Sequence, residues 1–145
     1  MIGPWIVKRN LRASFAFFGQ HDINNFLKGW TEDGVFIYPG TTFLAGRFEG
    51  KKAVTEWFRT YMDYFPRIDF TIKHICVESI FGLLSNVATV EWDVAITNKK
   101  GEDYNYSGMT IVHISKAKVF QVQDYIFDTE VLKKALGVGD QQKER

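Results

Sequence analysis

Residues 118–128 carry a carboxylate in an apolar setting. Apolar and polar residues alternate here, which predicts a β-strand with Phe120, Val122 and Ile126 on one face. Asp124 falls on that same face. Burial makes a carboxyl hold its proton more tightly, so that it can act as an acid or a base near neutral pH. Asp124 is therefore the first candidate catalytic residue. The alternatives are a structural pair with a basic side chain, or a bulge that turns it to water.

Two histidines are further candidate catalytic residues. His74 is predicted to share a strand face with Ile72 and Cys76, and His113 to share one with Met109. Histidine titrates near neutrality, so either side chain could shuttle a proton or bind the carboxylate. The alternative for each is a histidine hydrogen-bonded to the backbone. We expect no metal site, because no close-spaced set of ligands occurs, and no cofactor.

Aromatic residues make up 16% of the 145 residues. Aromatic rings, and a methionine side chain among them, can line a pocket for a flat or hydrophobic molecule, with a tyrosine hydroxyl as the polar contact. The alternative is ordinary core packing. The candidate ligand-binding residues are Tyr38, Trp92, Trp30 and Met109.

Helices followed by strands are predicted to position these residues, which indicates an α+β fold with a curved, mostly antiparallel sheet around three N-terminal helices. The predicted elements are helices at 7–18, 23–30 and 54–65, a strand at 35–38, a loop at 41–50, four long antiparallel strands between 68 and 126, and a short C-terminal helix at 130–136.

Length and composition narrow the class of protein. We predict a single domain over residues 1–137 and a frayed polar tail over 138–145. Lys and Arg number 18 against 17 Asp and Glu, without a basic stripe, so no nucleic-acid partner is expected. Cys76 is the single cysteine, which excludes an internal disulfide and suits a reducing compartment. No signal peptide and no apolar run of about 20 residues is evident, so we expect a cytoplasmic protein with no membrane partner.

Four segments in this order resemble the SnoaL-like group of the nuclear transport factor 2-like superfamily. They are residues 30–39, 48–58 and 87–92, and the strand that ends at Asp128. The resemblance covers nearly the whole chain. It implies a cystatin-like cone, in which the sheet curls around the helices and leaves a pocket open at one end. The superfamily includes polyketide cyclases, ketosteroid isomerases, epoxide hydrolases, dehydratases and non-enzymatic adaptor modules, so the fold alone does not define the chemistry.

The resemblance distinguishes among these activities. The ketosteroid isomerases carry their base carboxylate just before a proline at the end of the first strand, where this chain has Tyr38 and Pro39. Their oxyanion tyrosine corresponds to a position near Ser14, so that type of isomerase activity is disfavoured. The SnoaL-like cyclases use a pocket acid on a late strand, and Asp124 matches that role.

The sequence leaves two functions open. One is binding of a small hydrophobic or aromatic molecule, with cofactor-free acid/base catalysis of a cyclase, isomerase or hydratase type. The other is a non-catalytic ligand-binding or dimerising adaptor module. The resemblance implies a homodimer formed through the outer face of the sheet, which would include Thr89, Glu91, Asp93, Gln121, Gln123 and Tyr125. The substrate is not indicated.

Overall fold

The computed structural model describes residues 2–137, which form four helices and one six-stranded sheet. The predicted polar tail lies outside the described residues. The α+β class, the three N-terminal helices and the short C-terminal helix are confirmed. In chain order the elements are α1 (Ile2–Gly19), α2 (Ile23–Lys28), β1 (Trp30–Tyr38), β2 (Gly46–Glu49), α3 (Lys51–Tyr64), β3 (Arg67–Val77), β4 (Ser85–Thr97), β5 (Asp103–Ser115), β6 (Lys118–Ile126) and α4 (Thr129–Leu136).

The strands lie in the order β2-β1-β6-β5-β4-β3, and only the β1–β6 pair is parallel. The loop predicted at 41–50 was wrong in part, because Gly46–Glu49 forms strand β2 against the end of β1, with Tyr38 opposite Gly46. A four-residue, mostly exposed strand has too little alternation to be recognised in a sequence.

The helices present their predicted apolar stripes to the inner face of the sheet. Val7, Leu11 and Phe18 of α1 are buried, as is the row of α3 that contains Trp57 and Tyr61. Short side-chain caps define two helix starts. Asp22 accepts a hydrogen bond from the Asn25 backbone N–H at 3.2 Å, and Asp128 accepts one from Glu130 at 3.1 Å.

Two β-bulges change which side chains face the helices. In β3 the pairing passes from Ile72 opposite Trp92 to His74 opposite Glu91, so Lys73 is the extra residue. In β6 the extra residue is Phe120. One extra residue moves the following side chains to the other face. The predicted alternation was therefore wrong at both points: His74 is exposed, and Phe120 contacts the ring of His113 on the outer face.

Aromatic rings dominate the core between helices and sheet. Phe18, Phe26 and Phe58 contact one another at centroid distances of 4.6–5.6 Å, mostly edge to face. Such contacts contribute about 0.5–1.5 kcal/mol each beyond the area they bury. No helix among residues 2–137 is long and apolar enough to cross a membrane.

Candidate active site

A cavity of about 60 Å³ lies between the helices and the inner face of the sheet. Every described element except β2 and α4 contributes to its wall. The lining is largely aromatic and consists of Leu11, Ser14, Phe15, Phe18, Phe26, Trp30, Phe36, Tyr38, Trp57, Phe58, Tyr61, Phe70, Trp92, Tyr106, Thr110, Val112, Val119, Val122 and Asp124. Asp124 is the one formally charged residue among them, so the cavity combines an apolar wall with a single carboxyl.

Asp124 is held by a directed chain of hydrogen bonds. The indole Nε1 of Trp92 donates to Oγ1 of Thr110 at 2.9 Å, and Oγ1 of Thr110 donates to Oδ1 of Asp124 at 2.6 Å. An indole N–H can only donate, so the threonine oxygen must accept from it and its own proton points to the carboxyl. Oδ1 is thereby occupied as an acceptor. The titrating proton of Asp124 is left to Oδ2.

Burial raises the pKa of Asp124 to about 7, although the hydrogen bond from Thr110 lowers it. The desolvation of the carboxylate outweighs the single hydrogen bond because no basic side chain within the described part of the chain lines the cavity. Near neutral pH the protonated and ionised forms are therefore both populated. That is the condition for efficient proton transfer in either direction.

Three tyrosines supply hydroxyl groups beside the carboxyl. Tyr61 and Tyr106 share a short hydrogen bond between their hydroxyls. The buried hydroxyl of Tyr38 interacts with the hydroxyl of Tyr106 and, electrostatically, with Tyr61 and Asp124. Burial raises the pKa of each tyrosine well above its ordinary value, so all three remain neutral. A group of buried hydroxyls beside a carboxyl in an apolar cavity is the kind of arrangement that orients a ligand.

Four of the seven predicted site residues line the cavity: Asp124, Tyr38, Trp92 and Trp30. Trp92 has an additional role that the sequence did not indicate, since its indole N–H holds Thr110.

The other three predicted site residues lie away from the cavity. His74 is turned outward by the β3 bulge. His113 and Met109 lie on the outer face of β5, because the register places Thr110 and Val112 on the inner face with Val90 and Ala88. The sequence did not indicate which face of β5 is the inner one, because both faces carry apolar side chains. Neither histidine is within the cavity lining, so neither is placed to tune Asp124.

Sequence analysis missed Thr110, Tyr61 and Tyr106. Threonine and tyrosine are common in strands and in helix stripes, so their types alone carried no signal. The available signal was the alternation of β5, which puts Tyr106 and Thr110 on one face. Among residues 2–137 no group of three or more His, Cys, Asp or Glu side chains is arranged to hold a metal ion.

Comparison with known proteins defines the class. Residues 11–122 match the SnoaL-like domain, and the chain belongs to this family. The comparison with curated proteins gives no match.

Solved structures share the fold at low sequence identity. Bal32a, from a soil-derived mobile gene cassette, has a TM-score of 0.79 at 12% identity, with 92% of this chain and 98% of that chain covered. TerC co-crystallised with polyporic acid has a TM-score of 0.75 at 18% identity, with 91% and 98% covered. A Mycobacterium tuberculosis protein in complex with estradiol-17beta-hemisuccinate has a TM-score of 0.73 at 15% identity, with 87% and 96% covered.

Proposed function

We propose that the protein binds a small hydrophobic or aromatic molecule with a carbonyl oxygen and catalyses a cofactor-free proton transfer on it, with Asp124 as the acid and base. The observation that carries the proposal is the carboxyl of Asp124, with a pKa of about 7, in an apolar cavity that also holds the buried hydroxyl of Tyr38. The reaction types in view are enolisation, aldol cyclisation, isomerisation and hydration.

The chemistry follows from the directions of the hydrogen bonds. Ionised Asp124 takes a proton from the carbon next to the substrate carbonyl, so a C–H bond breaks and an O–H bond forms on Oδ2. The electron pair moves to the carbonyl oxygen, where the neutral hydroxyl of Tyr38 donates a hydrogen bond to the developing enolate. Asp124 then returns the proton to another carbon or to the oxygen. Thr110 keeps Oδ1 engaged throughout.

The cavity limits the ligand. At about 60 Å³ the cavity is smaller than the roughly 150 Å³ of an apolar cavity that takes up benzene. A ring-sized ligand must therefore displace part of the wall. Phe15 and Phe70 are the partly exposed aromatic residues of the wall and meet edge to face at 5.1 Å, so they are the side chains that we expect to move. TerC with polyporic acid and the mycobacterial protein with estradiol-17beta-hemisuccinate support a ligand-binding role for the cavity.

A hydrogen–deuterium exchange assay tests the proposal. Acetophenone and cyclohexanone are incubated with the protein in D₂O at pH 8, and the loss of their α-proton signals is followed by ¹H NMR. We expect exchange above the buffer rate with the native protein and with Asp69→Asn, which removes an exposed carboxylate. We expect no enhancement with Asp124→Asn. Equal exchange rates for the native protein and Asp124→Asn would overturn the catalytic proposal.

The alternative is a non-catalytic ligand-binding or adaptor module. Saturable binding of either ketone without exchange would point to it. A homodimer through the outer face of the sheet and a cytoplasmic location remain proposals. Sedimentation velocity tests the dimer, and a strictly monomeric protein would contradict it.

A further inference from the structure

Large apolar side chains are exposed together at one end of the molecule. They belong to the start of α1 and to the turn between β3 and β4, and their exposed fractions run from 58% for Trp5 to 80% for Ile2. We call the following set the apolar end surface: Ile2, Trp5, Ile80, Phe81 and Leu84. Isolated exposed apolar residues are ordinary, whereas a contiguous group marks an interaction site.

The segments that carry this surface contact one another. The backbone of Gly3 packs so closely on Ile80 that a Cβ on the glycine would lie 2.0 Å from the Ile80 carbonyl oxygen. The turn between β5 and β6 joins them, because the Lys116 N–H donates to the Leu84 carbonyl at 2.9 Å. Three segments of the chain thus form one continuous end of the molecule.

Charge at this end is strongly positive. The first half of helix α1 carries Lys8 and Arg9 and no acidic residue, the β5–β6 turn adds Lys116, and Lys118 begins β6. Residues 78–84 contribute one acid, so these segments hold four cations against one anion, while the whole chain has 18 against 17. The guanidinium of Arg9 lies 5.6 Å from the Trp5 ring centroid, which ties a cation directly to the exposed apolar group.

The same end adjoins the cavity. A groove of about 200 Å³ runs beside Leu83 and Ala117, and its inner wall includes Leu11, Phe26 and Val119, which also line the cavity. An apolar molecule that leaves the end surface therefore meets the cavity wall without crossing the polar outer face of the sheet.

We infer that the apolar end surface docks on an anionic lipid membrane, with Trp5, Phe81 and Leu84 entering the interface and the cations of α1 and the β5–β6 turn facing the headgroups. Amphipathic surfaces with exposed Trp, Phe and Leu beside Lys and Arg bind such interfaces. The sequence predicted no membrane partner because it has no apolar run long enough to span a bilayer. That argument does not apply to docking on the surface of a membrane. In this arrangement the membrane would also supply the ligand through the groove, and that step rests on the proposed function. The docking itself does not depend on it.

Vesicle co-sedimentation of the full chain tests the docking. The probes are vesicles of neutral phosphatidylcholine and vesicles with 30% phosphatidylglycerol. We expect binding to the anionic vesicles that weakens with salt, and at least tenfold weaker binding to the neutral ones. Phe81→Asp with Leu84→Asp should weaken anionic binding at least tenfold. Lys8→Gln with Arg9→Gln should do the same, since each cation near the surface contributes about fivefold.

Phe127→Asp is the matched control. Phe127 is 62% exposed, close to the 68% of Phe81, but it follows the far end of β6, about 30 Å along the strand from Lys118. We expect it to bind vesicles like the native protein. Ketone exchange in solution should be unchanged by Phe81→Asp, which separates failure of the docking from failure of the proposed function. Equal binding to both vesicle types, or a dimer that Phe81→Asp dissociates without any vesicle binding, would overturn the inference.

Discussion

At the scale of single residues, the site depends on the direction of two hydrogen bonds. The Trp92 indole can only donate, so the Thr110 hydroxyl must give its proton to Asp124. The ionised carboxylate gains one hydrogen bond by this arrangement and loses much of its hydration, since Asp124 is largely but not fully buried. The loss of hydration is the larger effect, and the pKa of Asp124 rises to about 7.

Thr110→Val removes the hydrogen bond that favours the ionised carboxylate. We expect the pKa of Asp124 to rise further, and the pH at which ketone exchange reaches half its maximum to rise with it. Thr110→Ser keeps the hydroxyl and is the control, with a profile close to that of the native protein. An unshifted profile for Thr110→Val would mean that the hydroxyl does not interact with the carboxylate in solution.

Tyr38→Phe removes a buried hydroxyl that interacts with Tyr106. We expect the free energy of unfolding to change by less than about 1 kcal/mol, because the lost contact and the relieved desolvation offset each other. Ketone binding and exchange should weaken, since the donor to the carbonyl oxygen is lost. Urea unfolding measures the first effect. Tyr61→Phe, which breaks the bond to Tyr106, should instead lower stability; equal responses of the two variants would contradict the assignment.

Asp124 was accessible to sequence reasoning because an ionisable residue interrupts an apolar row, and Tyr38 because an aromatic ring with a hydroxyl can line a pocket and donate a hydrogen bond. Thr110 was not, since a threonine in a strand is ordinary and its importance arises only where β4, β5 and β6 meet. His113 does share a face with Met109 and Ile111, as predicted, but that face is the outer one, and the apolar neighbours gave no sign of this.

At the scale of the elements, bulges and close strand contacts decide which side chains reach the cavity. The bulge at Phe120 lets Val119 and Val122, three residues apart, both face inward. Strict alternation would have put one of them on the outer face. Periodicity located the helices, although α1 begins at Ile2, five residues before the predicted start, and α2 ends at Lys28, two residues before the predicted end. A bulge leaves no clear mark in the sequence, which is why β3 and β6 were predicted with one face wrong over part of their length.

Gly108 is the point of closest approach between β5 and its neighbours. A Cβ there would lie 2.3 Å from the Tyr125 carbonyl oxygen and 2.8 Å from the Trp92 ring. We expect Gly108→Ala to lower the free energy of unfolding by about 2 kcal/mol or more, through separation of the strands, and to weaken exchange by displacing the indole that holds Thr110.

Gly29→Ala is the control for this substitution, because nothing lies within 4 Å of its Cβ position. Thermal unfolding and ketone exchange measure both variants. An unchanged Gly108→Ala protein would show that the approach is looser in solution.

At the scale of the whole molecule, the cavity makes the fold less stable than a filled core would. The sheet brings β1, β4, β5 and β6 to one side of the carboxyl, and α1, α2 and α3 close the other. The sequence could not indicate the volume of this cavity. It also could not indicate that α1 and the β3–β4 turn form one apolar end surface, since both features depend on contacts between distant segments.

The raised pKa of Asp124 makes global stability depend on pH. The folded state binds the proton more tightly than the unfolded chain, whose carboxyl has the ordinary value of 3.8. The contribution of this group to the free energy of unfolding is therefore fully present below about pH 4, and it is lost as the pH rises to about 7. We expect Asp124→Asn to exceed the native protein by up to about 4 kcal/mol at pH 8, and the difference to shrink as the pH falls towards 4. Urea unfolding at several pH values measures it; a constant difference would contradict the assignment.

The most direct test of the site is the titration of the Asp124 carboxyl itself. Carboxyl ¹³C NMR of uniformly labelled protein, with Asp124→Asn to assign the resonance, gives the pKa without any substrate. We expect a pKa of about 7 for this carboxyl. A value below about 5 would mean that the group is solvated and ionised at neutral pH, and would contradict the acid/base role of the cavity.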